Sequence, residues 1–238
     1  MDSIEVISSG SKSGVGVLDK AVAILAFLSG RGSATLAEVV DGTGLPRPTA
    51  HRLLSALETH HLVSRQDGRY VLGLRLLGWG NRAAGVGLVE RARPVLEGLR
   101  DESGESTQLY VREGDHRVCV ASVERVTGLR DSVPVGAVMP LSRGSAGKIL
   151  LAFALGGVDD RPEAAELRGI RVRGWAESVA EREAGVASVS APVFGEDERL
   201  RAAVSASGPI SRLGERPGER LSHLVVEAAR EIEKALVL

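Results

Sequence analysis

Thr35-Leu36-Ala37-Glu38, then Gly42-Thr43-Gly44, then Leu45-Pro46-Arg47-Pro48-Thr49-Ala50-His51-Arg52-Leu53-Leu54 is the stretch that decides the reading of this chain. Thr35 and Glu38 have capping-box spacing, in which hydroxyl and carboxylate each satisfy the other residue's free amide at a helix start. The glycines end that helix. Pro46 and Pro48 are tolerated only in a first turn, so they fix where the next helix begins. Within it Ala50, Leu53, Leu54 and Leu57 form one apolar stripe at helical spacing. The opposite face presents Arg47, Thr49, His51, Arg52 and Ser55. Leu62 to Arg65 and Arg69 to Leu72 then read as a hairpin turning at Gln66-Asp67-Gly68. Two short helices around a glycine turn, followed by a hairpin, make the layout of a winged helix-turn-helix. That motif places its second helix in the DNA major groove.

Working outward, residues 1–13 are Ser/Gly-rich and read as a loose tail. Leu18, Ala21, Val22, Leu25 and Leu28 recur at helical spacing until Gly30. Leu74 to Ala84 is helical in pattern, and Gly85-Val86-Gly87 interrupts it. Leu88, Ala92, Val95, Leu96 and Leu99 mark another helix, bent by Pro94. The period then changes to that of strands: Thr107 to Val111, His116 to Ser122, Val186 to Val193 and Leu200 to Ser207, joined by short turns. A helix is expected over Ser145 to Phe153, and a last one burying Leu221, Leu224, Val225, Ala228, Ile232 and Leu236. Short turns between neighbouring strands imply an antiparallel sheet with packed helices, an α+β fold. The division is a winged domain over 14–74, a linker helix over 75–87 and a larger domain over 88–238.

Composition fits two cores and excludes other classes. The 238 residues are 43% hydrophobic but only 3% aromatic, so Leu, Val, Ile and Ala must fill the interior. A net charge of -1 rules out a basic coat over the whole chain, so any DNA contact must be local. Between Leu45 and Arg75 there are five arginines (47, 52, 65, 69, 75) against Glu58 and Asp67, which supplies that patch. Cys119 is the only cysteine, which excludes an internal disulfide and a cysteine-based zinc site. The apolar run Ala21 to Leu28 is too short to span a membrane and has no cleavage-site pattern, so no membrane role and a cytoplasmic location are expected.

The DNA candidates are Thr35, Arg47, Thr49, His51, Arg52 and Ser55, with Arg65 and Arg69 of the hairpin meeting phosphates. For a small molecule, Ser145 and Ala146 open a helix whose free amides suit a carboxylate. Ser188, Ser205 and Ser207 lie on strands, with Ser205 and Ser207 on one face. Enzyme motifs are incomplete. Gly144 to Lys148 lacks the earlier glycine and the following Ser or Thr of a phosphate loop. Ser145-Ala146-Gly147-Lys148 has acyl-enzyme spacing without its companion motifs. His51, His60 and His61 have no partner to complete a metal set. No catalytic residue, metal or cofactor is therefore expected.

The recognition-helix run, the hairpin end Tyr70-Val71-Leu72-Gly73, and Pro140-Leu141 with Gly144-Ser145-Ala146-Gly147-Lys148 resemble the IclR-type bacterial regulators. Arg173-Gly174-Trp175-Ala176, Gly185 to Val189, Ala191-Pro192-Val193 and Ser205 to Pro209 continue that resemblance in order. It implies a winged domain, a linker helix and a C-terminal effector domain of GAF/profilin-like shape. It also implies homodimers, paired into tetramers, on palindromic double-stranded operators, with a carboxylate or amino-acid-like effector. The effector contacts carried over are Leu129, Ser145, Ala146, Ser178, Ser188, Ser205 and Ser207. The chain departs from the pattern at Trp175 and Arg143, and at Ser178 and Ser188, where relatives use an acidic residue and a cysteine. Leu129-Arg130-Asp131 and Glu124 to Val138 are most similar to an actinobacterial subgroup tied to leucine biosynthesis. The alternative is a constitutive DNA-binding protein whose large domain only oligomerises.

Overall fold

The computed structural model describes residues 13–83, 87–154 and 164–237. The tail expected up to residue 13 and the interruption at Gly85-Val86 lie, except for Ser13, outside the described residues. The chain divides into two compact units, residues 1–83 and 84–238, and this division falls inside the stretch 75–87 expected as a linker helix.

In the first unit, α1 (Gly16–Arg31) precedes β1 (Ser33–Ala34), α2 (Leu36–Thr43), α3 (Arg47–Thr59), β2 (Val63–Gln66), β3 (Arg69–Leu72) and α4 (Arg75–Ala83). Of the expected α1 stripe, Leu28 is buried and Ala21 and Leu25 pack against the core. Ile24 and Leu28 are its fully buried residues, while Leu18 and Val22 face solvent. The helix also passes Gly30 and closes at Gly32, whose φ of 78° suits glycine. Ala50, Leu54 and Leu57 of α3 pack with Ile24, Leu28, Val39, Val63 and Tyr70 into one small core. The β2–β3 turn is the two residues Asp67 and Gly68, with φ of 48° and 79°, as a type I′ hairpin requires. β1 adds a third strand through Ser33↔Val71 and Ala34↔Tyr70. At two residues it is too short to show a period.

The second unit begins with α5 (Leu88–Ser103), which continues through Pro94. β4 (Ser106–Glu113), β5 (His116–Val123), β6 (Val138–Pro140), α6 (Ser145–Ala152), α7 (Ala164–Arg173), β7 (Ala176–Val179), β8 (Val186–Phe194), β9 (Leu200–Pro209), α8 (Ile210–Leu213) and α9 (Pro217–Val237) follow. One six-stranded sheet runs β6-β5-β4-β9-β8-β7, and every pairing is antiparallel. Helices cover both faces. Ala187, Val189, Ala191, Ala202, Val204 and Ala206 share a core with α5 and α9. On the other face, Tyr110, Cys119 and Ala203 pack with α6 and α7. The fold is α+β. Among the described residues, no helix is long and apolar enough to cross a membrane.

Candidate nucleic-acid interface and effector site

On α3, Arg47, His51, Arg52 and Ser55 are exposed on the side opposite the core. Thr49 is half-buried. The guanidinium groups of Arg47 and Arg52 make no ion pair or hydrogen bond to other described residues, so both are available to a partner. A groove of about 630 Å³, lined by Arg47, Pro48, His51, Arg65, Gly68 and Tyr70, runs between the start of α3 and the hairpin tip. Arg65 lies over the Tyr70 ring at 5.4 Å, which steadies it at the groove edge.

Two of the expected DNA residues have other tasks. Arg69 Nη2 donates to Glu38 Oε2 at 2.7 Å and Arg69 Nε donates to the Ser33 hydroxyl at 3.1 Å. Its charge therefore ties β3 to the start of α2. Thr35 completes the capping box: its Oγ1 accepts from Glu38 N at 3.3 Å and donates to Glu38 Oε2 at 3.0 Å. Arg65 remains free for a phosphate, whereas the hydroxyl of Thr35 is spent on Glu38.

Glu38 is the hub of this network. The backbone amide of Thr35, then its hydroxyl, then Arg69 and Arg31 lower the Glu38 pKa from 4.5 to about 2. A depressed folded value means that the stabilisation is complete above 4.5 and drains away as pH falls toward about 2. Glu38→Gln should therefore lower the thermal midpoint at neutral pH and flatten its acid dependence across that interval. Parallel pH curves for variant and parent would contradict the assignment.

In the larger unit the register builds a polar floor. Ser178 faces Ser188, Ser188 faces Ser207, and Ser207 faces Ser106 across β7, β8, β9 and β4. Two residues along, Ser190 faces Ser205, Ser205 faces Gln108, and Gln108 faces Ser122. Both rows lie on the α6 side of the sheet, because the residues between them belong to the α5/α9 core. Ser106, Gln108, Ser178, Ser190, Ser205 and Ser207 are buried. A floor this polar is unusual for a sheet interior, where each unpaired hydroxyl costs free energy.

The start of α6 sits on this floor. Ser145 Oγ lies 2.7 Å from both Ser188 Oγ and Ser190 Oγ. The first intrahelical bond is Lys148 N to Gly144 O at 3.2 Å, which leaves the amides of residues 145–147 ahead of the helical ladder. Arg117 Nη1 donates to the carbonyls of Pro140 and Arg143 at 2.5 Å, and Gly144 N, just ahead of the helix, donates to Glu181 Oε2 at 3.2 Å. Free amides, the positive end of a helix dipole and a buried guanidinium together favour an anion here.

The structure thus brings Ser145, Ala146, Ser178, Ser188, Ser205 and Ser207 together. Leu129 is not among them: its side chain is 70% exposed, and its carbonyl accepts from Arg212 Nη2 at 2.8 Å. Gln108, Ser106, Ser122 and Ser190 went unnoticed in the sequence. The signal for Ser190 was its spacing of two from Ser188. Gln108 carried no such signal, because its face of β4 also holds Ser106, Tyr110 and Arg112. Above the floor Arg182 Nη2 donates to the buried Asp131 at 2.5 Å, tying the 124–137 segment to the loop after β7.

The lysine of the Ser-x-x-Lys spacing is engaged by two carboxylates. Lys148 Nζ bonds Glu181 at 2.5 Å and Glu166 at 2.8 Å. Burial alone would lower its pKa, but the two carboxylates raise it overall, so the ammonium is held charged. Burial pushes the Cys119 thiol up to about 12, which leaves it inert. Among the described residues no group of His, Cys, Asp or Glu is arranged to hold a metal.

Comparison with known proteins finds matches to both units. Residues 17–67 match the model of the IclR helix-turn-helix domain, and residues 82–156 and 159–234 match that of the bacterial transcriptional regulator IclR C-terminal domain. The glycerol operon regulatory protein of Streptomyces griseus is 33% identical over 82% of this chain and 85% of its own length. The crystal structure of the Thermotoga maritima IclR aligns with a TM-score of 0.71 at 26% identity, covering 94% of this chain and 99% of that one. An IclR homologue from Microbacterium hydrocarbonoxydans, solved with 4-hydroxybenzoate, shares the fold with a TM-score of 0.70 at 24% identity over 93% of this chain and 99% of that one. The chain belongs to the IclR family of DNA-binding transcriptional regulators, a family of non-enzymes.

Proposed function

We propose that this regulator binds a palindromic operator as a homodimer or dimer of dimers in the cytoplasm. In this reading a small carboxylate or amino-acid-like metabolite, held on the polar floor of the larger unit, sets its operator affinity. Arg47, His51, Arg52 and Ser55 face base edges, with Thr49 at the margin and Arg65 on the phosphate backbone. Exposed apolar residues support self-association: Val15, Val17 and Leu18 on or beside α1, and Leu74, Leu77 and Trp79 at α4. Such residues are costly to leave in water and suit a second copy of the same surface.

The observation that carries the effector reading is that Ser188 and Ser190 of β8 bond the unladdered start of α6 and lie in register with the serines of β7 and β9. The carboxylate would take the amides of residues 145–147, and Ser145, Ser188, Ser205 and Ser207 would orient the rest of the molecule. The acid bound by the Microbacterium homologue supports this class. Calorimetry with a panel of small acids tests it. Ser205→Ala/Ser207→Ala should lose about tenfold or more in affinity, the scale of one or two orphaned hydrogen bonds. Wild-type affinity in that variant would remove the floor from consideration. Coupling between acid and operator should amount to about 1–3 kcal/mol.

A further inference from the structure

Three buried side-chain atoms have no hydrogen-bond partner among the described residues: Gln108 Nε2, Ser122 Oγ and Arg117 Nε. They sit on neighbouring strands, β4 and β5, and Gln108 lies directly opposite Ser122. On its other side Gln108 faces Ser205, Ser205 faces Ser190, and Ser190 bonds Ser145. A polar row therefore crosses β8, β9, β4 and β5, with its β8 end under the start of α6. Gln108 is fully buried, and its amide makes one side-chain bond, from the Ser207 hydroxyl to Oε1 at 3.0 Å. Turning the amide over exchanges the free end without removing it. A buried amide left unpaired costs free energy, and native folds retain such groups where something else satisfies them.

We propose that Gln108, with Ser122 beside it, reads a second polar group on the effector, at the end remote from its carboxylate. This rests on the carboxylate site at α6 proposed above. Two strand spacings, about 10 Å, separate β8 from β4. The effector is then a bifunctional acid with several bonds between its polar ends, and a two-carbon oxoacid cannot touch both. Gln108 is a specificity-determining residue and not part of the anion site.

Calorimetry with matched acids that differ only in a remote oxygen tests this directly: benzoate against 4-hydroxybenzoate, pentanoate against 5-hydroxypentanoate, with glyoxylate as the short acid. The wild type should prefer the oxygen-bearing member of a pair by about tenfold or more. Gln108→Leu should erase that preference; because it also releases the Ser207 hydroxyl, the readout is the ratio of affinities within each pair. Gln108→Met, closer in shape, gives the same comparison if the leucine variant does not fold.

Equal wild-type affinity within both pairs would overturn the inference, as would selective binding of glyoxylate. A Gln108→Leu loss shared equally by both members would also overturn it, since that marks a structural role or a site filled by water. If Ser205→Ala/Ser207→Ala weakens every acid while Gln108→Leu changes no preference, the α6 site stands and this inference alone falls. If no acid binds the wild type, both fall.

Discussion

Arg52→Ala should weaken binding to a preferred operator by about tenfold or more while leaving the thermal midpoint near that of the parent. Arg52 is exposed on α3, has no partner among the described residues and lies opposite the buried stripe of Ala50, Leu54 and Leu57. Removing it costs the fold nothing that packing supplies. A bidentate arginine–guanine contact carries about 1–3 kcal/mol of discrimination, so the loss should fall on specific sites and spare random DNA. Arg65→Ala should behave differently. Its loss should be similar on every sequence, and the salt slope should fall by about 0.9 for the one phosphate contact removed. The check is fluorescence anisotropy with a duplex selected from a random pool, titrated at several salt concentrations. If Arg52→Ala lowered affinity equally on selected and random duplexes, α3 would not be reading bases.

The second large effect is on stability. Glu105 is buried in the second unit, and Arg212 holds it with two bonds, Nε to Oε1 at 2.8 Å and Nη2 to Oε2 at 2.6 Å. Gly208 makes this possible, since a Cβ there would collide with the Glu105 carboxylate. The Arg212 side chain is 27% exposed while that of Glu105 is 1% exposed, so water cannot take over from the guanidinium. Arg212→Leu should cost about 3–5 kcal/mol, because it strands a buried carboxylate. Adding Glu105→Gln should recover part of that loss, since a neutral amide is cheaper to bury. Chemical unfolding measures both. A single variant as stable as the parent would show that Glu105 finds other partners. Arg212 also takes the Leu129 carbonyl, so the single variant should loosen the 124–137 segment beside the polar floor.

The winged unit was largely legible in the sequence because its signals are local. Capping at Thr35 and Glu38, paired prolines at the start of α3 and Asp67-Gly68 in the hairpin each act within a few residues. What the sequence could not show is how those residues meet across the unit. Arg69 looked like a phosphate contact because it is a basic residue on a hairpin. Only the fold places Glu38 beside it, through the pairing of β1 with β3. Part of the α1 stripe, Leu18 and Val22, missed the core for a similar reason. The apolar residues of α1 go most of the way round the helix, and the neighbours that choose between Ile24 and Val22 come from α2 and α3.

In the larger unit the long strands were visible, but β6, β7 and α8 are four residues or fewer and carry no measurable period. The serines at 145, 188, 205 and 207 were picked out partly by resemblance and partly by spacing. Ser190 and Gln108 needed the sheet register, which brings positions more than 80 residues apart into one row. Leu129 fell away because a resemblance carries a position but not the direction of its side chain.

The central claim is that an acid on the polar floor changes how tightly α3 holds DNA. Its most direct test is the operator affinity of the full chain, measured by anisotropy with and without a saturating acid found by calorimetry. Wild type should shift by roughly 5–150-fold in either direction, and Ser205→Ala/Ser207→Ala should shift far less at the same acid concentration. An acid that binds tightly yet leaves operator affinity unchanged in both proteins would contradict the claim.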